Sequence, residues 1–408
     1  MKYDLVVIGS GMSGLMAAAK AVQTGKSALI VTKGQGALSL TSGCVDFWGY
    51  RLDAPKAVAP DPGREIKELA RRRPEHPYAK VEPILSESVD FFLAIMREAR
   101  YEFTGGLGAN QRVLTSLGTR HIAALAPRSM VLTEPEKARR VVAVGFKNYG
   151  DFFPAMFLDN SARFFPRAER ETVMIDLGIN MAARSGYLSL LLEQEAVQAK
   201  IARTLRGREG DVYVFPAVLG SKPDSAVWRN ISAALAAQVI EVPGLPPSIP
   251  GSRLYNALKM YLRRRGTEIR SNMEIIGADL EAGRVRALRA RDSSGAASRI
   301  EAGGVVLATG SFFGGGLEAG KERLREPIFD LPVYCPEWPA EQSFLSPAGQ
   351  PFLAAGLEVD GDLRPCAEIA NLYAAGNVLA HADYAAEKSG LGLAVATGYK
   401  AGGAAAAA

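Results

Sequence analysis

The chain has 408 residues, 48% hydrophobic and 22% charged, with 48 Lys and Arg against 43 Asp and Glu for a net charge of +5. That length predicts two or three compact units, and the balance excludes a disordered chain. The basic runs at Arg71–Arg73 and Arg263–Arg265 have no aromatic residues interleaved, so they read as solvated helix faces and no nucleic-acid partner is expected.

From the N-terminus, MKYDLVVIGSG reads as a strand entering a turn rather than a cleavable signal, and no stretch of about 18 apolar residues follows, so a cytoplasmic chain is expected. Tyr3–Ile8 is an almost continuous apolar run, as in a strand buried on both faces. Gly9, Gly11 and Gly14 follow, then a helix over Met12–Thr24 closed by Gly25, then a second strand over Ser27–Thr32. This is one βαβ unit of the doubly wound type.

Beyond it, Ser88–Arg100 and Leu188–Thr204 have the spacing of amphipathic helices, Val141–Phe146 that of a strand, and EVPGLPPSIPG (Glu241–Gly251) that of a rigid return connection. Arg253–Arg265 predicts a helix stopped by Gly266 and feeding a short strand, Thr267–Ile269. Strands over Met273–Leu280, Val285–Arg291 and Ser298–Glu301 are separated by turn residues, and a return strand, Gly304–Ala308, ends in Ala308-Thr309-Gly310. A strand, a three-stranded meander and a return strand ending in Ala308-Thr309-Gly310 point to a flavin rather than a plain nicotinamide protein. The expected fold is α/β: a Rossmann-like FAD-binding domain, with a parallel sheet plus a β-meander, built from residues 1–55, 250–312 and 345–408. Residues 56–249 are expected to form an inserted α+β capping or partner domain.

Three motifs carry the chemistry. In Gly9-Ser10-Gly11-Met12-Ser13-Gly14, Gly9 permits the tight turn, Gly11 lets the backbone approach a pyrophosphate, and Gly14 allows close helix packing, with free helix N–H groups facing the anion. The carboxylate expected at the end of the second strand is missing; Thr32 and Lys33 stand there. Either Thr32 and backbone groups hold the ribose, or Lys33 faces a 2′-phosphate. The second motif, Thr309-Gly310, leaves room beside the cofactor. In the third, Gly376 and Asn377 end a strand, and Ser389 and Gly390-Leu391-Gly392 open a small-residue helix whose N-terminus would stabilise charge on a reduced flavin. The loop Gly34–Cys44 would run along the cofactor toward its ring, with Ser42, Gly43 and Cys44 in contact and Cys44 a candidate reactive thiol. The terminal Gly402-Gly403 and Ala404–Ala408 support no functional argument.

For acid-base work the histidines are His76, His121 and His381. His76, within RRRPEHPYAK, reads as an exposed loop residue; His121 and His381 are both candidates for the base that removes a hydroxyl proton. Arg253 and Lys147 are candidates for an anionic substrate. Cys44, Cys335 and Cys366 lie far apart, so no disulfide framework, metal site or iron-sulfur cluster is expected in this chain, and any such relay sits on another chain.

Taken with TKGQGALSLTSGCVDF, LTSLGTRHIAALAPRSM, VGFKNYGDFFP, VYVFPAVLG, LPPSIPGSRLYNAL, GSFFGGGLEAG, REPIFDLPV and NLYAAGNVL, these motifs make the chain resemble the B subunit of the anaerobic glycerol-3-phosphate dehydrogenase complex, a relative of fumarate-reductase-type flavoproteins. The family's serine-rich loop reads Thr41-Ser42-Gly43-Cys44 here. The resemblance implies a flavin subunit of a respiratory sn-glycerol-3-phosphate:quinone oxidoreductase, acting with a catalytic A subunit and an iron-sulfur C subunit, and peripheral to the inner membrane through a partner. It implies FMN; the dinucleotide turn argues for FAD, because FMN has no pyrophosphate. Two alternatives stand: a flavin electron-transfer or scaffold subunit without a substrate site, and a fumarate-reductase-like enzyme acting on a small dicarboxylate.

Overall fold

The computed structural model describes residues 2–321, 323–337 and 350–408, so the start of the expected segment 345–408 lies outside the described residues. Strand β1 (Lys2–Ile8), helix α1 (Met12–Gln23) and strand β2 (Ala28–Thr32) form the opening unit. Helices α2 (Pro62–Arg72), α3 (Pro77–Val81) and α4 (Leu85–Glu98) follow. Next come β3 (Arg140–Phe146), α5 (Pro154–Ser161), β4 (Glu169–Ile175), α6 (Ser185–Leu191), α7 (Glu195–Leu205), β5 (Asp211–Pro216), α8 (Ala226–Leu235) and β6 (Gln238–Val242). The chain then runs through α9 (Ile249–Arg264), β7 (Glu268–Ser271), β8 (Met273–Glu281), β9 (Arg284–Asp292), β10 (Ala297–Leu307), β11 (Leu372–Ala374), α10 (Tyr384–Glu387) and α11 (Gly390–Ala407).

The large sheet has the order β7-β2-β1-β10-β9-β8, with β11 also on β10. Strands β7, β2, β1, β10 and β11 are parallel, and the meander strands β8 and β9 are antiparallel. Leu5–Ile8 and all of β2 are buried, which explains their unbroken apolar sequence. The third meander strand and the return strand, expected as two, are one strand of 11 residues. Ala297–Glu301 pair with β9 and Val305–Leu307 with β11, so a single strand exchanges partners along its length. Gly303 and Gly304 do not break it; a Cβ there would lie 2.8 Å from the Asp4 carbonyl oxygen and 2.2 Å from that of Ala405. These glycines admit β1 and α11 at close range.

Helix α11 lies along α1. Gly398 and Gly402 make this possible, since a Cβ would fall 2.3 Å from the Ser13 carbonyl oxygen at one and 2.2 Å from that of Ala17 at the other. Ile66, Leu69, Val81, Phe92 and Ile95 of α2 to α4 share one core with this sheet.

A second sheet, β4-β3-β5-β6, is parallel throughout and has its own core around Phe146, Phe157, Tyr213 and Phe215. The strands of this sheet alternate with helices and each crossover returns the chain parallel, while the antiparallel pairs Phe103–Gly105 with Leu125–Pro127 and Val113–Leu114 with Arg120–His121 stand beside it, in keeping with the mixed insertion expected from sequence. The single helix expected over Leu188–Thr204 is divided into α6 and α7. Between them the Glu193 carboxylate accepts the Ser221 N–H at 2.8 Å and the Lys222 N–H at 3.2 Å, which draws that residue out of helical register.

Candidate cofactor site

At the C-terminal end of β1 the chain turns through Gly9, with φ +113°, where a Cβ would lie 2.2 Å from the Ala308 carbonyl oxygen. Gly14 is equally obligatory, 2.0 Å from the Gly9 carbonyl oxygen by the same construction. Gly11 differs: its missing Cβ points into open space. Nothing among the described residues requires glycine there, and the open space would let a ligand approach the backbone. Helix α1 has no side-chain cap and no acidic residue in its first turn, so its positive end is free of any carboxylate of its own.

These residues open on a cavity of about 840 Å³, within the range of cofactor sites. It is lined by Gly9, Gly11, Ser13, Thr32, Lys33, Ser42, Cys44, Thr309, Gly310, Asn377, Gly390 and Leu391, and by His121. Thr309 Oγ1 is buried with no hydrogen-bond partner among the described residues. Gly14, Gly43, Gly376 and Gly392 are not in the wall and act by packing. A Cβ would meet Pro250 at Gly43, Ser13 Oγ at Gly376, and the Asp46 backbone with the Phe47 ring at Gly392. The loop after β2 crosses the turn at Gly36, φ +67°, whose Cβ would stand 3.0 Å from the Gly11 nitrogen. It is seated on the start of α9 by the Ser248 N–H bond to the Ser39 carbonyl at 2.7 Å.

One end of the cavity follows the C-terminal edge of β2. The Thr32 hydroxyl is engaged with Ser10 and the Gly34 carbonyl, and Lys33 Nζ is 2.7 Å from Glu274 Oε1. Glu274, which sequence reasoning missed, lines the cavity and is held below the usual carboxylate range by Lys33. The register explains its place: Ser271 of β7 pairs with Thr32, so the residues that follow emerge beside Lys33. The carboxylate that β2 lacks is therefore carried by the neighbouring strand, where adenosine ribose hydroxyls would be met.

With a pyrophosphate at α1 and an adenosine at the β2 edge, the other end, walled by Ser42, Cys44, Asp46, His121, Tyr384, Gly390 and Leu391, would be left for a ring. His121 Nε2 is 2.9 Å from Ser42 Oγ. Burial, with Lys388 assisting, pushes its pKa down to about 4, so the imidazole is neutral near pH 7. Burial pushes the Cys44 thiol up to about 12, and its Sγ points at Met130 Sδ, 3.7 Å away. A reactive thiolate is not what this geometry makes. Asp46, also missed, accepts the Leu391 N–H at 3.0 Å, and its backbone carbonyl accepts that of Gly392 at 2.8 Å.

The structure takes three sequence-expected candidates away from the cavity wall. Arg253 is buried and bidentate to Glu241 at 2.8 and 2.9 Å, with Nε on the Gly220 carbonyl at 2.8 Å. Burial opposes its charge, but Glu241 outweighs that and raises its pKa. No fork remains for a substrate. His381, at φ +66°, packs tilted against Tyr334 at 4.0 Å between centroids and bonds Glu358 at 2.9 Å. Lys147 is exposed and paired with Asp176. His76 is fully buried rather than an exposed loop residue. Its Nδ1 accepts the Tyr78 N–H and caps α3, and its Nε2 faces Glu387, just ahead of α11. The two prolines flanking it disguise a docked turn as a surface loop.

The parts of this cavity fit FAD: a bare helix end for a pyrophosphate, a carboxylate for the ribose, and a second wall of glycine-rich backbone for a ring. Fold and site together define an FAD-binding flavoprotein, and a family model described as an FAD binding domain matches residues 4–393. The chain is 30% identical, over 98% of its length and 96% of the relative's, to the B subunit of anaerobic glycerol-3-phosphate dehydrogenase from Vibrio cholerae serotype O1. It is 29% identical, over 97% of both chains, to the protein of that name from Actinobacillus succinogenes. It belongs to the family of anaerobic glycerol-3-phosphate dehydrogenase B subunits, which are FAD-dependent oxidoreductases. Among solved structures it is similar to E. coli quinol fumarate reductase FrdA, with a TM-score of 0.46 and 10% identity, covering 100% of this chain and 70% of that one. Mycobacterium smegmatis Sdh1 gives 0.43 and 12%, covering 100% and 69%. No helix among the described residues is long and apolar enough to cross a membrane.

Proposed function

We propose that this chain is the flavin subunit of a respiratory sn-glycerol-3-phosphate:quinone oxidoreductase, relaying electrons from a catalytic A subunit toward an iron-sulfur C subunit. Bound FAD supplies acceptance of two electrons and their onward delivery singly or together. The chain's own residues hold it: the α1 turn takes the pyrophosphate, Glu274 the ribose, and the wall from Ser42 to Asp46 with Gly390 and Leu391 excludes water from the ring end.

The observation that carries the relay reading is the state of the cations in the wall. Among the described residues that line the cavity, the basic side chains are Lys33, Arg325 and His121. Lys33 is paired with Glu274, Arg325 with Glu318 at 2.6 Å, and His121 is held neutral. A dianionic phosphate, or a dicarboxylate, needs unpaired fixed charge of the opposite sign. That supports oxidation of glycerol 3-phosphate on a partner and receipt of its electrons here.

The partner surfaces are proposed on the second sheet's unit, which carries the exposed large apolar side chains Phe153, Met174, Met181 and Leu190. Attachment to the membrane is proposed through a partner. The division into an FAD-binding domain of 1–55, 250–312 and 345–408 and an inserted 56–249 is proposed on the two separate cores, with α2 to α4 of the insertion packed on the core of the FAD-binding domain.

The test is anaerobic addition of glycerol 3-phosphate to the purified flavin-loaded chain. Its visible absorption is expected to stay unchanged, while the assembled complex is bleached. Bleaching of the isolated chain overturns the relay reading, and protein purified with its partners that releases no flavin overturns the whole assignment.

A further inference from the structure

Helix α11 offers its positive end to the ring end of the cavity, but its first turn is already occupied by a carboxylate of the chain. Asp46 accepts the Leu391 N–H at 3.0 Å, and Asp46, Gly390 and Leu391 all line the wall. One helix end would thus serve two anions once the flavin is reduced, since the added electrons leave negative charge on the ring. Two like charges sharing one site resolve themselves by protonation of the more basic group.

We propose that Asp46 takes up a proton when the bound flavin is reduced, so that this chain moves a proton together with electrons. The inference rests on the reading that FAD lies in this cavity with its ring beside Asp46. Two electrons arrive from a hydride-class donor, the dehydrogenase partner or a chemical reductant, and one proton accompanies them onto the ring. A second proton passes from water to the Asp46 carboxylate, whose O–H bond is the new bond formed. Reoxidation by an electron acceptor returns both protons to solvent.

The surroundings favour this. Burial pushes the Asp46 carboxyl up to about 6, with the N–H groups of Leu391 and Gly390 and the charge of Lys388 opposing. The other titratable groups facing it or its neighbours belong to Cys44, Tyr78, His121, Tyr384, whose phenol burial likewise pushes up, and Glu387 with its partner His76. The thiol and the phenols are pushed up and stay protonated near pH 7, the His121 imidazole is pushed down and stays neutral, and Glu387 bonds Ser389 and His76. Within this group Asp46 is placed to change charge in the neutral range.

The test is the midpoint potential of the bound flavin, measured by spectroelectrochemistry from pH 6 to pH 8, in the wild-type chain and in Asp46→Asn. Asn keeps an oxygen for the Leu391 N–H. An extra proton per two electrons steepens the fall of potential by about 30 mV per pH unit, the two-electron equivalent of a tenfold change. The wild type is expected to show that steeper slope and Asp46→Asn to lose it. Parallel slopes overturn the proposal. If the visible spectrum of Asp46→Asn is shifted while the slopes stay parallel, the ring placement stands and only the proton uptake fails; if the spectrum is also unchanged, the placement fails with it. Should the variant not fold, dye-reported proton uptake by the wild-type chain at pH 7 decides, with the flavin reduced at an electrode through a viologen that carries electrons without protons. About two protons per flavin are expected, and a count of the ring's single proton overturns the proposal.

Discussion

The chain contains two parallel sheets, and both offer the place where open α/β proteins bind ligands, the C-terminal edge beside a reversal of strand order. At the large sheet that edge opens on a cavity of about 840 Å³; at the small one, beside Tyr149, Asp151, Pro216 and Ala217, only about 10 Å³ is free. The latter is room for a single water at most. The difference lies in the turn chemistry after the strands. Gly9, Gly11 and Gly14 keep side chains out of the first edge, whereas Tyr149, Phe152 and the Arg253–Glu241 pair fill the region around the second. Topology marks a place for a site, and local residues decide whether it is open.

The sharpest way to break the contrast is at its closed side. Arg253→Met leaves Glu241 buried and uncompensated, with Ser129 and the Leu219 N–H as its remaining partners, and is expected to cost about 3–5 kcal/mol in denaturant unfolding. Gly9→Ala attacks the open side. A Cβ against the Ala308 carbonyl at φ +113° costs at least about 2 kcal/mol, and flavin content after gel filtration should fall more than tenfold.

Glu274→Gln should weaken FAD by roughly 10- to 100-fold, the loss of one charged hydrogen bond worth about 1.5–3 kcal/mol. FMN affinity, which uses no adenosine contact, should not change in the same fluorescence titration. An effect on both flavins would move Glu274 out of the ribose role. For Asp46 the sign follows from a carboxyl raised to about 6 by burial. Its stabilising contribution to the flavin-free chain is present below the ordinary carboxylate range and is lost as pH rises to about 6. Asp46→Asn removes that loss, so its Tm relative to wild type should be a few degrees better at pH 7.5 than at pH 4.5. The smallest effect is expected at Cys44. Iodoacetamide at pH 7 should leave the buried thiol unmodified while labelling the exposed Cys335, as mass spectrometry would report.

Much of the large sheet is legible in sequence because its signals are local. An apolar run followed by spaced glycines dictates β1, the turn and α1, and turn residues delimit the meander. What escapes is whatever depends on which strands become neighbours. Glu274 acquires its place only through the Ser271–Thr32 register, and Asp46 only through the docking of α11, most of the chain away. His76 resembles a surface residue because its neighbours are prolines and charges; its burial comes from stacking on Tyr78 and meeting Trp48 edge-on. Arg253 follows a proline-glycine corner, as sequence reading expects of a residue between units, yet its partner Glu241 lies inside that same corner and neutralises it. Motifs reveal backbone requirements well and side-chain partners poorly.

The packing of α11 along α1 has a consequence for how the protein is made. Gly398 and Gly402 sit against the backbone of Ser13 and Ala17, and the residues that open α11 complete the wall of the cavity begun at Gly9. On the ribosome the first half of the site, at Gly9–Gly14, emerges long before the other half, at Gly390 and Leu391, exists. A product that ends before α11 is therefore expected to carry the glycine turn and Glu274 without the wall that closes the ring end of the cavity.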